Sequence, residues 1–323
     1  MTIDPKPRIL YVADAPEWSF DRKGQDYRKH LPDLDIDIGF ANPVCFERGL
    51  GHAYYRDMEK TKHYDAVWHL HDGYIWSEEE LAQYIEGHHR NNTLVFLTIN
   101  QFYNSEEIEL RRTRLERYDG ISVNNPYCYF ILKDAGFDVT YTPDGYPGET
   151  FMPEVAIENR PFNVVFVSSK LWLQHKGYEI WCKVRDTLEQ EGIGFIEVVA
   201  DSMNNTRSFE QMNEIYNRAQ VFVCMSKSEG GPCTLQETAA AGLVPVCTRV
   251  GYTEYLKNIF IVERKPEPFI EKIRYLRDNP VIVKQMSRAI VKEAYHWQSC
   301  FAAQHWGDFA QNHILRHRGL RLA

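Results

Sequence analysis

The sequence predicts an α/β protein of two domains, each a parallel sheet flanked by helices. Three observations carry this reading. The chain has 323 residues, a length that suggests two domains. Short apolar runs of strand length alternate along it with helical stretches, the pattern of a parallel sheet. The clearest unit lies between residues 220 and 247. There an apolar run (Gln220–Met225), a tight turn (Gly230-Gly231-Pro232), a helix built on Thr238-Ala239-Ala240-Ala241 and stopped by Gly242, and a second apolar run (Leu243–Cys247) follow in order. Strand, turn, helix and strand make a βαβ unit.

Composition sets limits on function. Hydrophobic residues make up 44% and charged residues 25%, enough to fill a normal core. The formal net charge of −8 argues against a general nucleic-acid binder, although it leaves room for a local basic groove. No apolar run reaches the length that spans a bilayer, and peripheral membrane contact stays open. The N-terminus, MTIDPKPRIL, lacks a signal-peptide pattern. The seven cysteines (Cys45, Cys128, Cys182, Cys224, Cys233, Cys247, Cys300) form no Cys-x-x-Cys pair, and several lie in apolar runs. A reduced, cytoplasmic protein without a disulfide framework is expected.

In the first half, Arg8–Ala13 reads as a strand closed by turn chemistry at Asp14–Trp18. Leu34–Phe40 alternates strictly, so it is a half-buried strand. Its Asp33, Asp35 and Asp37 fall on one side, better explained as a solvated face than as a metal motif. Asp65–Leu70 is a strand running into His69-Leu70-His71-Asp72-Gly73. A His at a strand's end faces the ligand edge of an open sheet. The two His also have a spacing that suits a metal, but no third ligand is evident. Helices follow at 77–89 and 106–117, with a strand at Leu94–Ile99 between them. In the second helix Arg111, Arg112, Arg114 and Arg117 interleave with glutamates, which reads as a solvated face or as a basic strip for an anionic acceptor. Gly120–Val123 and Val139–Thr142 are strands around a helix closed by Gly136. Turn residues between 143 and 153 then place a domain boundary near residue 155.

The second half opens with the buried strand Phe162–Val167, then Lys170, Lys176-Gly177 and a helix to Glu191. A strand at Gly194–Ala200 precedes a capping box at Ser208 and Gln211. Amphipathic helices are expected at 269–278 and 281–295, a last helix at 300–315, and a basic tail after it. The central unit has chemistry in it. Glycines let the backbone approach a ligand. Free N–H groups at a helix start favour an anion such as phosphate. Glu229 precedes the turn and can face what the turn holds. Glu237, one to two turns into the helix, can accept hydrogen bonds from a diol, as acids do with ribose in dinucleotide sites.

The series Glu229, Gly230, Gly231, Pro232, Glu237, Ala239, Ala241, Gly242, Pro245 and Val246 resembles the donor-binding motif of family 4 glycosyltransferases, which have the GT-B fold. The resemblance is strong from about residue 139 to 300 and weak before it. It implies two Rossmann-like domains facing across a cleft. Residues 1–155 would form the acceptor-side domain and 156–298 the nucleotide-sugar domain. Residues 299–323 would form a helix packing back on the first domain, with the basic tail.

It further implies sugar transfer from a nucleotide-diphosphate sugar with retention of configuration. Neither a metal nor a cofactor beyond that donor is required. Lys170 and Lys176 would grip the diphosphate, with Lys170 at the position where the family has Arg. Gly230, Gly231, Pro232 and the N–H groups of Thr234 and Leu235 would line it, Glu229 would hold the sugar and Glu237 the ribose. His71 matches the second His of the family's His-x-His and is the candidate general base. The family's Gly-Gly after the first strand is missing. Asp14 and Trp18 stand there on the acceptor side, Trp18 either as an aromatic platform or packed over the strand ends. A UDP-hexose is the expected donor. The acceptor is open among glycan, lipid, protein, small molecule and modified nucleic acid. The alternatives are a sugar-nucleotide epimerase or hydrolase on the same fold, and a non-catalytic partner subunit.

Overall fold

The structure, a computed structural model, describes residues 5–14, 19–41, 54–71, 77–100, 104–200 and 207–319. It divides into two compact units, Met1–Asp144 with Ser299–Ala323, and Gly145–Gln298.

Unit one is built on six parallel strands: β1 (Arg8–Ala13), β2 (Asp35–Phe40), β3 (Ala66–His69), β4 (Leu94–Ile99), β5 (Gly120–Val123) and β6 (Val139–Tyr141). They lie in the order β2-β1-β3-β4-β5-β6. β4 is apolar nearly throughout because both its faces are covered, as in parallel sheets generally. β2, at the sheet edge, alternates instead. Asp35 pairs with Arg8 at 2.8 Å, and Asp37 accepts from Lys62 at 2.8 Å and the Tyr64 hydroxyl at 3.0 Å. Among the described residues no group of three or more metal-binding side chains assembles.

The helices of unit one are α1 (Ser19–His30), α2 (Tyr55–Thr61), α3 (Glu78–Arg90), α4 (Ser105–Leu115) and α5 (Pro126–Asp134). Capping boxes start α3 at Ser77 with Glu80 and α4 at Asn104 with Glu107. The basic strip considered for α4 does not form. Arg112 donates to Glu109 and Glu116, and Arg114, which is buried, and Arg117 stand 3.6 and 3.7 Å from Glu78. Arg112 thus has two acids of its own unit, and Arg114 and Arg117 share one.

Unit one is completed from the other end of the chain. Helix α11 (Ser299–His317) lays Ala303, Trp306, Phe309, Ala310 and Ile314 into the core with Ile9, Tyr11, Trp68 and Phe96. Trp306 stacks on Trp68 with centroids 3.8 Å apart and on Tyr27 at 4.7 Å. Ser299 Oγ donates to Asp26 at 2.7 Å, and Arg318 pairs with Asp65 at 2.5 Å.

Unit two has five parallel strands: β7 (Asn163–Ser169), β8 (Gly194–Ala200), β9 (Val221–Cys224), β10 (Val244–Cys247) and β11 (Phe260–Ile261), in the order β11-β10-β9-β7-β8. Helices α6 (Tyr178–Gln190), α7 (Phe209–Tyr216), α8 (Cys233–Ala240), α9 (Pro266–Asp278) and α10 (Pro280–Ala294) cover the sheet, with a hydrophobic cluster on each face. Ser208 and Gln211 form the expected capping box on α7. Gly242 ends α8 at φ +86°, a conformation that favours glycine.

The boundary falls at 144/145, earlier than the expected residue 155, and side chains explain why. Asp144 is held in unit one by Lys23 at 2.6 Å and by Asn124 at 2.8 Å. Beyond it, the Tyr146 N–H donates to the Trp297 carbonyl at 3.0 Å and Phe151 is buried in the core of unit two. The turn-rich sequence marks an irregular stretch, but its aromatics anchor it to the second unit. Among the described residues no helix is long and apolar enough to cross a membrane.

Candidate functional site

In an open parallel sheet, ligands sit beyond the carboxyl ends of the strands, where the strand order reverses. In unit two that point lies at β7, which has β8 on one side and β9 on the other. The segments leaving β7 and β9 there are 170–177 and 225–232, and they carry Lys176 and Glu229.

Backbone contacts fasten these segments together. The Lys227 N–H donates to the His175 carbonyl at 2.8 Å, and the His175 ring meets the Ser228 carbonyl. Arg264 donates to the Met225 carbonyl at 3.0 Å and to the Gln174 carbonyl at 3.3 Å. Gly177 is left-handed at φ +77°, and a Cβ there would lie 2.3 Å from the Met225 carbonyl oxygen. Only glycine lets the two segments come this close.

The closeness brings together side chains 53 positions apart. Lys176 Nζ donates to Glu229 Oε1 at 2.5 Å, and Ser226 Oγ donates to the same oxygen at 2.6 Å. The Lys176 and Glu229 side chains are 25% and 12% exposed. Burial pulls the Lys176 pKa down, but the Glu229 carboxylate outweighs it and the net shift is upward. Lys176 is therefore a firm cation.

Lys176, Ser226 and Thr234 line one small recess. Thr234 belongs to the first turn of α8, which begins after Pro232 without a side-chain cap. The Leu235 N–H already donates to the Pro232 carbonyl at 2.9 Å, so it does not face a ligand as expected. The Thr234 N–H has no acceptor among the described residues, which suits the start of α8 to an anion. The turn is backed by the Tyr252 hydroxyl, which donates to Pro232 at 3.0 Å. It is also backed by Gly251 at φ +54°, whose Cβ would sit 2.8 Å from the Gly230 carbonyl. Among the described residues the positive φ angles near this turn fall at Gly177 and Gly251, not at Gly230 or Gly231.

Glu237 is half-buried further along α8, and its Oε2 accepts from the Tyr216 hydroxyl at 2.8 Å. Tyr216 is fully buried, and burial together with Glu237 pushes its phenol pKa far up. The hydroxyl is thus a permanent donor that fixes the carboxylate. Lys170 is exposed at the start of a 3-10 turn (Lys170–Trp172), and Lys176 forms the ion pair with Glu229.

In unit one the order reverses between β1 and β3. Asp14 and His71 lie just beyond the carboxyl ends of these neighbouring strands. Trp18 lies outside the described residues. His69 does not face the ligand edge. It is fully buried, its Nε2 is 3.3 Å from the Tyr84 hydroxyl, and burial lowers its pKa to about 3. It is a neutral core group. Sequence reasoning missed Ser226, Tyr216, His175 and Arg264 as supports of the site. The hydroxyl of Ser226 ending an apolar run just before the glycine turn was the one available signal.

Two doubly wound parallel units, with a cation and an uncapped helix start at the switch point of the second, define a protein of the GT-B fold. Residues 164–279 match the family of group 1 glycosyl transferases. Sucrose-phosphate synthase from Thermosynechococcus elongatus superposes with a TM-score of 0.72 at 11% identity, covering 95% of this chain and 98% of that one. Anabaena HepE in complex with UDP and glucose gives 0.67 at 9% identity, covering 94% and 99%. A putative UDP-N-acetylglucosamine 2-epimerase from Listeria monocytogenes gives 0.61 at 10% identity, covering 96% and 97%. No curated protein matches the chain in sequence.

Proposed function

We propose that this protein is a glycosyltransferase. In this reading it moves a sugar from a nucleotide-diphosphate sugar, with a UDP-hexose the expected donor, to an acceptor with retention of configuration. The observation that carries the reading is the meeting of Lys176, Glu229 and the Thr234 N–H where β7 and β9 end. The family match over the same unit supports it.

Cleaving the bond between sugar and diphosphate leaves negative charge on the diphosphate. The Thr234 N–H is a preorganised donor for that charge and Lys176 a nearby cation that can turn to it from Glu229, and removing one such contact typically costs about 3–4 kcal/mol of barrier. Lys170, being exposed, adds only a point charge at the rim and not the bidentate grip of an Arg. Glu229 accepts hydrogen bonds from the sugar hydroxyls, Gly230 and Gly231 bond them through the backbone, and Glu237 holds the ribose. The leaving phosphate takes the acceptor's proton, or His71 does so as general base, with Asp14 and Trp18 on the acceptor side. The reading requires no metal, and a cytoplasmic location fits it.

A screen of nucleotide sugars by thermal shift tests the donor, since a tight ligand raises stability by mass action. Slow release of nucleoside diphosphate without acceptor is expected. Glu237→Ala is expected to weaken nucleotide binding by calorimetry, and Lys176→Ala to lower turnover far more than it lowers the melting temperature. Wild-type values in both variants would remove the reading. The fold likeness to an epimerase motivates a second reading, which product analysis separates: an epimerase returns a changed sugar on the nucleotide. A non-catalytic partner subunit turns over no donor at all.

A further inference from the structure

We infer that Glu229 makes this site select the sugar-bearing nucleotide over the bare nucleoside diphosphate, and so helps to expel that product. The inference rests on the donor-site reading and deepens it.

The geometry is that of one carboxylate oxygen with two donors. Lys176 Nζ and Ser226 Oγ both converge on Glu229 Oε1, at 2.5 and 2.6 Å. The cation offered to a diphosphate is therefore already committed to a carboxylate. Glu229 is only 12% exposed and Ser226 is buried, so water compensates the carboxylate poorly once Lys176 leaves it. Nor can the carboxylate swing clear with its segment. The 225–229 stretch is tied to 174–177 by His175, Lys227, Arg264 and the close approach at Gly177.

Two ligands meet this arrangement differently. A nucleoside diphosphate ends in a free terminal phosphate, which brings its extra negative charge toward Glu229 and competes for Lys176. Removing one partner of a buried pair leaves an uncompensated charge, which is strongly unfavourable. A nucleotide sugar has that phosphate esterified and carries one charge less. Its sugar hydroxyls can donate to Glu229 as Lys176 turns toward the diphosphate. The same residue thus penalises the product and rewards the substrate. The competing possibility is that the ammonium, with three N–H donors, bridges Glu229 and phosphate together, in which case no selection arises.

Calorimetry on the full chain separates the two. UDP and UDP-glucose, GDP and GDP-mannose, and ADP and ADP-glucose are titrated as matched pairs into wild type, Glu229→Gln and Glu229→Asp. Thermal unfolding confirms that each variant is folded. Repulsion between partly buried charges a few ångströms apart corresponds to on the order of a tenfold to hundredfold change in affinity. Glu229→Gln is expected to bind the nucleoside diphosphate tighter by that factor and the nucleotide sugar no tighter. Glu229→Asp, which keeps the charge, is expected to retain the wild-type preference. Unchanged or weaker diphosphate binding in Glu229→Gln, or equal gains in both variants, overturns the selection while leaving the donor site in place. Wild type binding none of the six ligands removes the donor-site reading and this inference with it.

Discussion

Gly177 is the position where the site's geometry is most exposed to one methyl group. Gly177→Ala places a Cβ 2.3 Å from the Met225 carbonyl oxygen, against an ordinary contact of about 3.4 Å or more, and the obstacle is backbone. The φ of +77° adds the left-handed penalty of about 1–2 kcal/mol for a residue with a side chain. Relieving the overlap means moving 175–177 away from the end of β9. That endangers the hydrogen bonds from Lys227 to His175 and from Arg264 to Met225, at about 1 kcal/mol each. The sum is about 3–4 kcal/mol. A control isolates the clash: Gly192 has a similar φ of +68° but nothing within 4 Å of its would-be Cβ, so Gly192→Ala carries the backbone penalty alone. Thermal unfolding of both variants is the assay. At about 2–4 °C per kcal/mol, melting of Gly177→Ala should fall by roughly 6–16 °C and that of Gly192→Ala by a few degrees. Equal losses in the two would show that the close approach at Gly177 is not part of the folded protein, and with it the placement of Lys176 would fall.

Tyr216→Phe removes the hydroxyl that braces Glu237. A hydrogen bond to a charged acceptor contributes about 1.5–3 kcal/mol, so a comparable loss of stability is expected, with several-fold weaker nucleotide binding. In a double-mutant cycle with Glu237→Ala the binding losses should not add, and full additivity would rule out a bracing role. His69 makes stability depend on pH. Its folded pKa is about 3, against about 6.5 when unfolded, so below pH 6.5 the unfolded chain takes up a proton that the folded chain refuses. Stability is therefore complete above pH 6.5 and declines as pH falls toward 3, by about 1.4 kcal/mol per pH unit. Between pH 7 and pH 5 a loss of about 2 kcal/mol is expected in chemical denaturation, and His69→Gln should flatten that slope; an equal slope in the variant would assign the loss to other groups.

The strands were largely legible because parallel strands are covered on both faces and read as apolar runs; β4, β7 and β9 are examples. The two glutamates of the central unit were legible because their spacing on a turn and a helix is local. What joins them to their partners is not local. Lys176 meets Glu229 across 53 positions and Tyr216 meets Glu237 across 21. In the sequence Tyr216 is simply an apolar position on an amphipathic helix, where a core aromatic and a brace look alike. The His69 and His71 pair illustrates the same limit. All four residues of β3 are buried, so alternation could not reveal that its last residue belongs to the core. Arg114 reads as a surface charge until Glu78, on another helix, is brought within 3.6 Å.

The stack of Trp306 on Trp68 has a consequence for the order of events on the ribosome. Residues 145–298 form a contiguous unit and can close their own core during synthesis. The amino-terminal segment is made first, yet it lacks one wall until residues 299–317 emerge, because Trp306, Phe309 and Ile314 fill the space beside Ile9, Tyr11 and Trp68. The earliest part of the chain is thus the last to mature. A released chain ending at residue 298 should give a protease-resistant second unit alongside a digestible first one, and resistance of both would contradict this order.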